Sequence, residues 1–293
     1  MVRQKPAKLP FPSSNLGATL LIIVATPIGN LKDISERARS ALALCDCVLC
    51  EDTRHTGLLF QSLHISPPRM LSLHRFNEAS REEEILSLLR EEKNVALVSD
   101  AGMPGIADPG MALIARCHKE KLPVTAIPGP CAFATAFALS GALCDKMQFL
   151  GFLPKPKEEL LVRLIEMYRY PGASAVYESP YRVKETIEHA VSVHPSWEIV
   201  LVRELTKIHE EVLRLPAQEL RDRLQDRVMK GECTLVFLPC PDAPRPSNDQ
   251  LMGEVASVRS QFSCSLKEAI EVVAKNHYLP QRELYQLSIG RSA

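Results

Sequence analysis

The chain has 293 residues, 46% of them apolar and 24% charged, and its 35 basic and 35 acidic side chains give a formal net charge of zero. That length allows two domains with a well-buried core. The composition excludes disordered and fibrous classes, and zero net charge argues against a protein that coats nucleic acid by charge alone.

Residues 1–19 carry Pro, Ser and Lys and read as a flexible tail. The apolar run from Ala18 to Ala25 is too short to span a membrane and flows into a Pro-Ile-Gly-Asn loop, as a first strand does. Leu20–Ala25 is therefore a predicted strand, followed by a helix over Ile34–Leu44 with Asp33 or Ser35 as its N-cap. Strand Cys47–Cys50, helix Arg54–Leu63, strand Met70–Leu73 and helix Ala79–Glu92 come next. A strand from Val95 to Val98, helix Met111–Glu120, strand Val124–Ile127 and helix Ala132–Leu139 complete an α/β domain at 20–150. The alternation predicts a mostly parallel sheet covered by helices. Around Gly151-Phe152-Leu153-Pro154-Lys155-Pro156-Lys157 the pattern breaks, and a linker is expected there. A second α/β domain at 151–240 has strands near Ser174–Tyr177, Ile199–Arg203 and Thr234–Leu238. Its helices lie near Glu158–Tyr168, Val183–Val191 and Gln218–Met229. The run Pro239–Pro246 is a second linker. Residues 249–290 form a helical C-terminal domain, with helices Leu266–Lys275 and Gln281–Leu287 around a Tyr278-Leu279-Pro280 turn. That pair resembles a helix-turn-helix, but packing is its more common use.

Nine scattered cysteines read as reduced thiols of a cytoplasmic protein. Cys45, Cys47 and Cys50 lie in an apolar run with no second Cys/His pair at zinc spacing, so they read as core thiols and no metal is expected.

Three strand ends run into Pro/Gly loops: Thr26-Pro27-Ile28-Gly29-Asn30, Ser99 to Gly110, and Pro128-Gly129-Pro130. Gly lets backbone approach a ligand, and ligands of open α/β sheets bind beyond the carboxyl ends of the strands. The three together suggest one pocket. It is not of the usual dinucleotide, P-loop or Ser-hydrolase kind, because no G-x-G-x-x-G, G-x-x-x-x-G-K-[ST] or G-x-S-x-G occurs. Polar clusters also end strands: Glu51-Asp52-Thr53-Arg54; His74, Asn77 and Glu78; Glu178 to Arg182; and Arg203 to Lys207. Charges where a buried strand opens are costly unless paired or used. Four such clusters favour a polar cleft between two domains.

The segments ATPIGNLKDISERA, EDTRHT, NEAS, VSDAGMPGIADPG, IPGPCAFATAFALSG, FLGFLPKPK, YESPYRV, RELTKIHEE and GECTLVF stand in order from 25 to 237. This series resembles the ribosomal RNA small subunit methyltransferase I family, ribose 2′-O-methyltransferases of the tetrapyrrole methylase-like superfamily. Met103 and Gly105-Ile106-Ala107 depart from the Thr and Leu/Ile-Ser usual there. The resemblance implies two α/β domains, S-adenosylmethionine in the cleft between them, a homodimer, and methylation of a cytidine ribose in the decoding region of 16S rRNA on the 30S subunit. It assigns the donor to Ile28, Gly29, Asp100, Gly102, Met103, Pro104, Gly105, Pro128, Gly129, Pro130 and Cys131, with Tyr177 and Cys233 from the second domain. The proton acceptor is sought in Arg203–Glu211: Lys207, if desolvated beside Arg203, with Glu204 and Glu178 as rivals and a phosphate contact as the other use of Lys207. Arg54, Arg182 and Arg203 stand as RNA backbone contacts or inter-domain ion pairs, with His74 and Asn77 beside the RNA. Three alternatives stay open: porphyrinoid C-methylation, diphthine synthesis, and a non-enzymatic RNA-binding module.

Overall fold

The computed structural model describes residues 20–240 and 246–289, so the tail at 1–19 and most of the run 239–246 lie outside the described residues. The described residues divide into two compact units, those up to 135 with 204–211 in one and those of 136–203 and from 212 onward in the other.

The first unit is built on five strands: β1 Leu21–Val24, β2 Cys47–Cys50, β3 Arg69–Ser72, β4 Val95–Leu97 and β5 Val124–Ile127. They form one sheet in the order β3-β2-β4-β1-β5, and every recorded pairing is parallel. The helices between them are α1 Glu36–Leu44, α2 Thr53–Ser62, α3 Glu78–Arg90 and α4 Met111–Lys119, with α5 Ala132–Ser140 after β5. Successive strand residues face opposite sides. Leu20, Ile22 and Val24 pack with Ala38, Leu42 and Phe60 of α1 and α2. Leu21, Leu49 and Leu97 pack with Ile85, Leu86 and Leu113 of α3 and α4. Both faces are covered, which is why the central strands β1, β2 and β4 are apolar runs without alternation. Cys45, Cys47 and Cys50 are buried in these layers, and burial pushes the Cys45 thiol up to about 12 and Cys47 to about 11.

Local chemistry sets the helix starts. Ser35 caps α1 by accepting from Ala38 N at 3.1 Å. Gly110 cannot cap α4, and the Glu78 carboxylate takes the task, accepting from Gly110 N at 3.2 Å and Leu113 N at 3.3 Å. Its charge sits at the positive end of that helix.

The second unit carries β6 Met147–Phe152, β7 Ala173–Glu178, β8 Glu198–Arg203, β9 Glu211–Pro216 and β10 Cys233–Phe237, with α6 Lys157–Arg169, α7 Val183–Val193 and α8 Ala217–Leu224. Sheet order is β6-β7-β10-β8-β9, and the sheet is mixed: β6 runs parallel to β7, while β10 is antiparallel to β7 and β8. Two expectations change here. Gly151 and Phe152, read as linker, belong to β6, whose register shifts between Phe149 and Phe152 where Gly151 adopts φ +65°. The break between units accordingly falls inside α5, ahead of the 150/151 boundary expected from the sequence. Strand β9 was not anticipated, being a half-exposed edge strand with no continuous apolar run. Trp197 anchors the core of this unit, its indole N–H donating to Leu238 O at 2.8 Å.

Helices α9 Asn248–Phe262, α10 Leu266–Asn276 and α11 Gln281–Ile289 share an apolar cluster of Leu251, Val255, Ile270, Val273 and Leu284. Capping boxes at Ser247/Gln250 and Ser265/Glu268 start α9 and α10. The apolar sides of α10 and α11 are used against α9, which is the packing role.

Candidate active site

A parallel sheet places the carboxyl ends of β1 to β5 along one edge. There the loops after β1 and β4 are stitched together. Thr26 N donates to Gly102 O at 2.9 Å, and Gly102 N donates to Thr26 O at 3.1 Å. The buried Thr26 hydroxyl donates to Ser99 O at 3.1 Å, and the Ser99 hydroxyl donates to Gly102 O at 3.1 Å. Gly102 has φ +86°, and a Cβ there would stand 3.3 Å from Ile28 Cγ2 and 3.6 Å from Pro130 O. At this glycine, three loops distant in sequence converge. A Cβ on Gly129 would stand 2.9 Å from Ala25 Cβ, so the β5 loop also runs tight against β1. The result is a cradle walled by main chain. Pro128 and Gly129 are exposed at its rim, Met103, Pro130 and Cys131 are half-buried, and Ile28 and Pro104 are buried. Gly105 and Gly110 serve the turn itself, with φ of +80° and +117° and side-chain neighbours in Met111 and Leu97.

Carboxylates border the β4 loop. Asp100 accepts from Asp52 N at 3.3 Å and lies 3.7 Å from His55 Nδ1. Burial, with Glu51 and Asp100 nearby, pushes the Asp108 carboxyl up to about 6 against a hydrogen bond from Ser99.

The segment 204–211 leaves β8 and packs in the first unit. A Cβ on Gly29 would meet Lys207 Cγ at 2.5 Å, Thr206 Oγ1 at 2.8 Å and Leu205 O at 2.9 Å. The strap therefore lies directly on the loop after β1. Lys207 Nζ and Glu204 Oε1 form an ion pair at 2.7 Å, and Thr206 N donates to Glu210 Oε2 at 2.6 Å. Glu204 and Thr206 adopt φ of +52° and +62°. For a β-branched Thr that is a strained backbone, of the kind held by surrounding structure at functional sites. The Thr206 hydroxyl is buried without a hydrogen-bond partner among the described residues.

The remaining candidates separate by environment. Arg54 is largely exposed and forks onto Asp52, which caps α2. Asn77 is a clamp: its Oδ1 accepts from His74 N at 2.8 Å and its Nδ2 donates to Ser72 O at 3.1 Å. His74 is half-buried.

In the second unit, Glu178 is buried at 2% exposure. Its carboxylate accepts from Thr186 Oγ1 at 2.9 Å and Ser179 N at 2.8 Å and pairs with Arg182 at 3.5 Å. Arg182 also donates to Leu153 O and Pro154 O. This closed network ties β7 to α7, so Glu178 is no open proton acceptor and Arg182 no free hand for phosphate. Tyr177 packs edge-on against Phe149 and Phe152. Cys233 is buried on β10, paired in register with Glu178 and Arg203. Arg203 reaches Lys230 O at 3.4 Å. Thr26, Ser99, Asp108 and Thr206 join the candidates only in the folded structure. Thr26 and Asp108 stand inside the Pro/Gly loops, whereas nothing in the sequence marks Thr206.

The family model of the tetrapyrrole (corrin/porphyrin) methylases matches residues 20–221, and the chain belongs to that family. Among curated relatives, Ribosomal RNA small subunit methyltransferase I of Hydrogenobaculum sp. is 41% identical over 218 residues, 74% of this chain and 94% of the relative. The protein of the same name from Synechocystis sp. is 37% identical over 280 residues, 94% of this chain and 99% of the relative. That from Vibrio cholerae is 38% identical over 275 residues. Among solved structures, the cobalt precorrin-4 methyltransferase CbiF superposes with TM-score 0.54 at 19% identity, covering 75% of this chain and 94% of that one. The methyltransferase CobJ gives 0.56 at 18% identity, covering 76% and 95%. These two confirm the fold. The protein is accordingly an S-adenosylmethionine-dependent methyltransferase. The main-chain cradle at Gly102 and Gly129 fits a donor held by backbone contacts.

Proposed function

We propose that the protein methylates the 2′-hydroxyl of a cytidine ribose in the decoding region of small-subunit ribosomal RNA, on the 30S particle. The supporting observation is the strap 204–211, seated on the loop after β1 with its ion pair beside the cradle. Bound S-adenosylmethionine supplies an activated methyl group on a sulfonium. The chain's own work is to hold donor and acceptor in line and to receive the hydroxyl proton. The loops around Ile28, Gly29, Asp100, Gly102, Met103, Pro104, Gly105, Pro128, Gly129, Pro130 and Cys131 hold the donor. Within the pair only the carboxylate has a lone pair to take a proton, since an ammonium has none. Glu204 is therefore the acceptor of the proton, and Lys207 steadies the developing oxyanion. The charged strap suits a ribose-phosphate substrate better than an apolar porphyrinoid ring.

A neutral chain binds naked RNA weakly and favours an assembled particle that supplies shape. A ribosomal substrate places the activity in the cytoplasm, and no helix of the described residues is long and apolar enough to cross a membrane. A second copy of the chain covers the exposed Leu139, Leu143, Met147 and Phe152 around edge strand β6. Sedimentation of the wild type should give a dimer and Leu143→Asp with Met147→Glu a monomer. The function itself is tested with radiolabelled S-adenosylmethionine and 30S subunits lacking the modification, followed by digestion and mass spectrometry of the product. A methyl group on a base, or equal rates on free 16S rRNA and on subunits, would refute the reading.

A further inference from the structure

The turn after β3 carries a feature that methyl transfer alone does not use. Phe76 is 82% exposed, and the backbone presenting it is fixed on both sides. Leu73 N donates to Cys50 O at 2.8 Å, and Asn77 N and Glu78 N both donate to His74 O, at 2.9 and 3.0 Å. The Asn77 side chain closes the turn onto His74 N and Ser72 O. Arg75 lies with its guanidinium carbon 4.7 Å from the Phe76 ring centroid, and the His74 ring meets Phe76 edge-on at 6.2 Å. The turn therefore displays a ring, with a cation against it, at the carboxyl end of β3, on the sheet edge that carries the donor loops.

A single exposed apolar side chain is ordinary. A rigid turn that couples an exposed ring to an arginine has a specific chemical match. Unpaired RNA bases stack on aromatic faces and guanidinium planes, and the arginine charge meets the adjoining phosphate. A protein partner would be expected to cover a broader apolar surface, whereas the neighbours of Phe76 along the turn are His74, Arg75 and Asn77.

We propose that Phe76 and Arg75 form a stacking platform for an unpaired base of the RNA substrate. The inference rests on the ribosomal RNA reading above. Two measurements keep them apart. In the first, Phe76→Ala, Phe76→Leu and Phe76→Trp are compared for methylation of 30S subunits, with donor affinity by calorimetry as control. Phe76→Ala should raise KM for subunits about tenfold or more, with donor affinity unchanged. Phe76→Trp should restore it, and Phe76→Leu should not, since Leu keeps apolar area but has no π face. In the second, Phe76→Trp reports binding by fluorescence, because the chain's one natural tryptophan, Trp197, is buried. Because binding of naked RNA is weak, a short unpaired RNA oligonucleotide is titrated to saturation: it should quench the new emission, and a duplex of the same length should not. Quenching without methylation by the wild type would sink the ribosomal reading and leave the platform standing. A fully active Phe76→Leu, absent quenching by unpaired RNA, or loss of the dimer in Phe76→Ala would each overturn the platform.

Discussion

Replacing Gly29 by Ala tests whether the strap must sit on the loop after β1 for the enzyme to work. The added methyl would stand 2.5 Å from Lys207 Cγ, 2.8 Å from Thr206 Oγ1 and 2.9 Å from Leu205 O. The lysine stem can swing aside, but the carbonyl belongs to the backbone and the Thr206 side chain is held by its strained main chain. Restoring ordinary contact requires the strap to retreat by about 0.5 Å, a shift of the order at which misplacement costs tenfold to a hundredfold in rate. Overpacking of this kind costs about 1–3 kcal/mol in stability. Gly57→Ala is the control. Gly57 lies in α2 with nothing within 4 Å of a built Cβ, and there Ala should stabilise by about 0.5–1 kcal/mol. The assay is single-turnover methylation of 30S subunits under saturating donor, with chemical denaturation of both variants. Gly29→Ala turning over at the wild-type rate while folded would refute the seating of the strap as a catalytic requirement.

Glu204→Gln should lower single-turnover methylation about 10²- to 10⁴-fold with donor affinity intact. Lys207→Arg, which keeps the charge, should lose far less; the reverse order would return the proton to Lys207. Asp108 titrates with stability. Its folded value near 6 lies above the ordinary carboxyl, so the native state holds the proton more tightly, and this contribution is lost as pH rises from about 4 through 6. Asp108→Asn should therefore gain stability relative to wild type across that window, by at most about 3 kcal/mol, and hold the gain above it; denaturant titrations at pH 4.5 and 7.5 (about 1.5 units either side of 6) with equal differences would refute this. Glu178→Ala leaves Arg182 and Thr186 without their buried partner. It should destabilise by about 3–5 kcal/mol, whereas a folded Glu178→Ala that is inactive at normal stability would restore Glu178 to the chemistry.

The sequence by itself determined the first sheet. Its central strands β1, β2 and β4 are buried on both faces, so each is an apolar run bounded by Pro, Gly or charged residues, and helices such as α1 carry their own caps, as Ser35 does. The Pro/Gly loops at Thr26, Ser99 and Pro128 were legible for the same reason: backbone that must approach other backbone is written in residue types. The edge strands of the second sheet were not. β6 contains a glycine-centred register shift, and in β9 only Leu213 and Leu215 alternate with exposed Val212 and Arg214, a stretch too short to mark a strand. Side-chain roles also waited on the fold. Glu178 and Glu204 are both glutamates at strand ends, yet one is locked in a buried network and the other lies in a strap against Gly29. That difference is made by partners far apart in the chain, in hydrogen bonds and close approaches that only the folded backbone brings within reach.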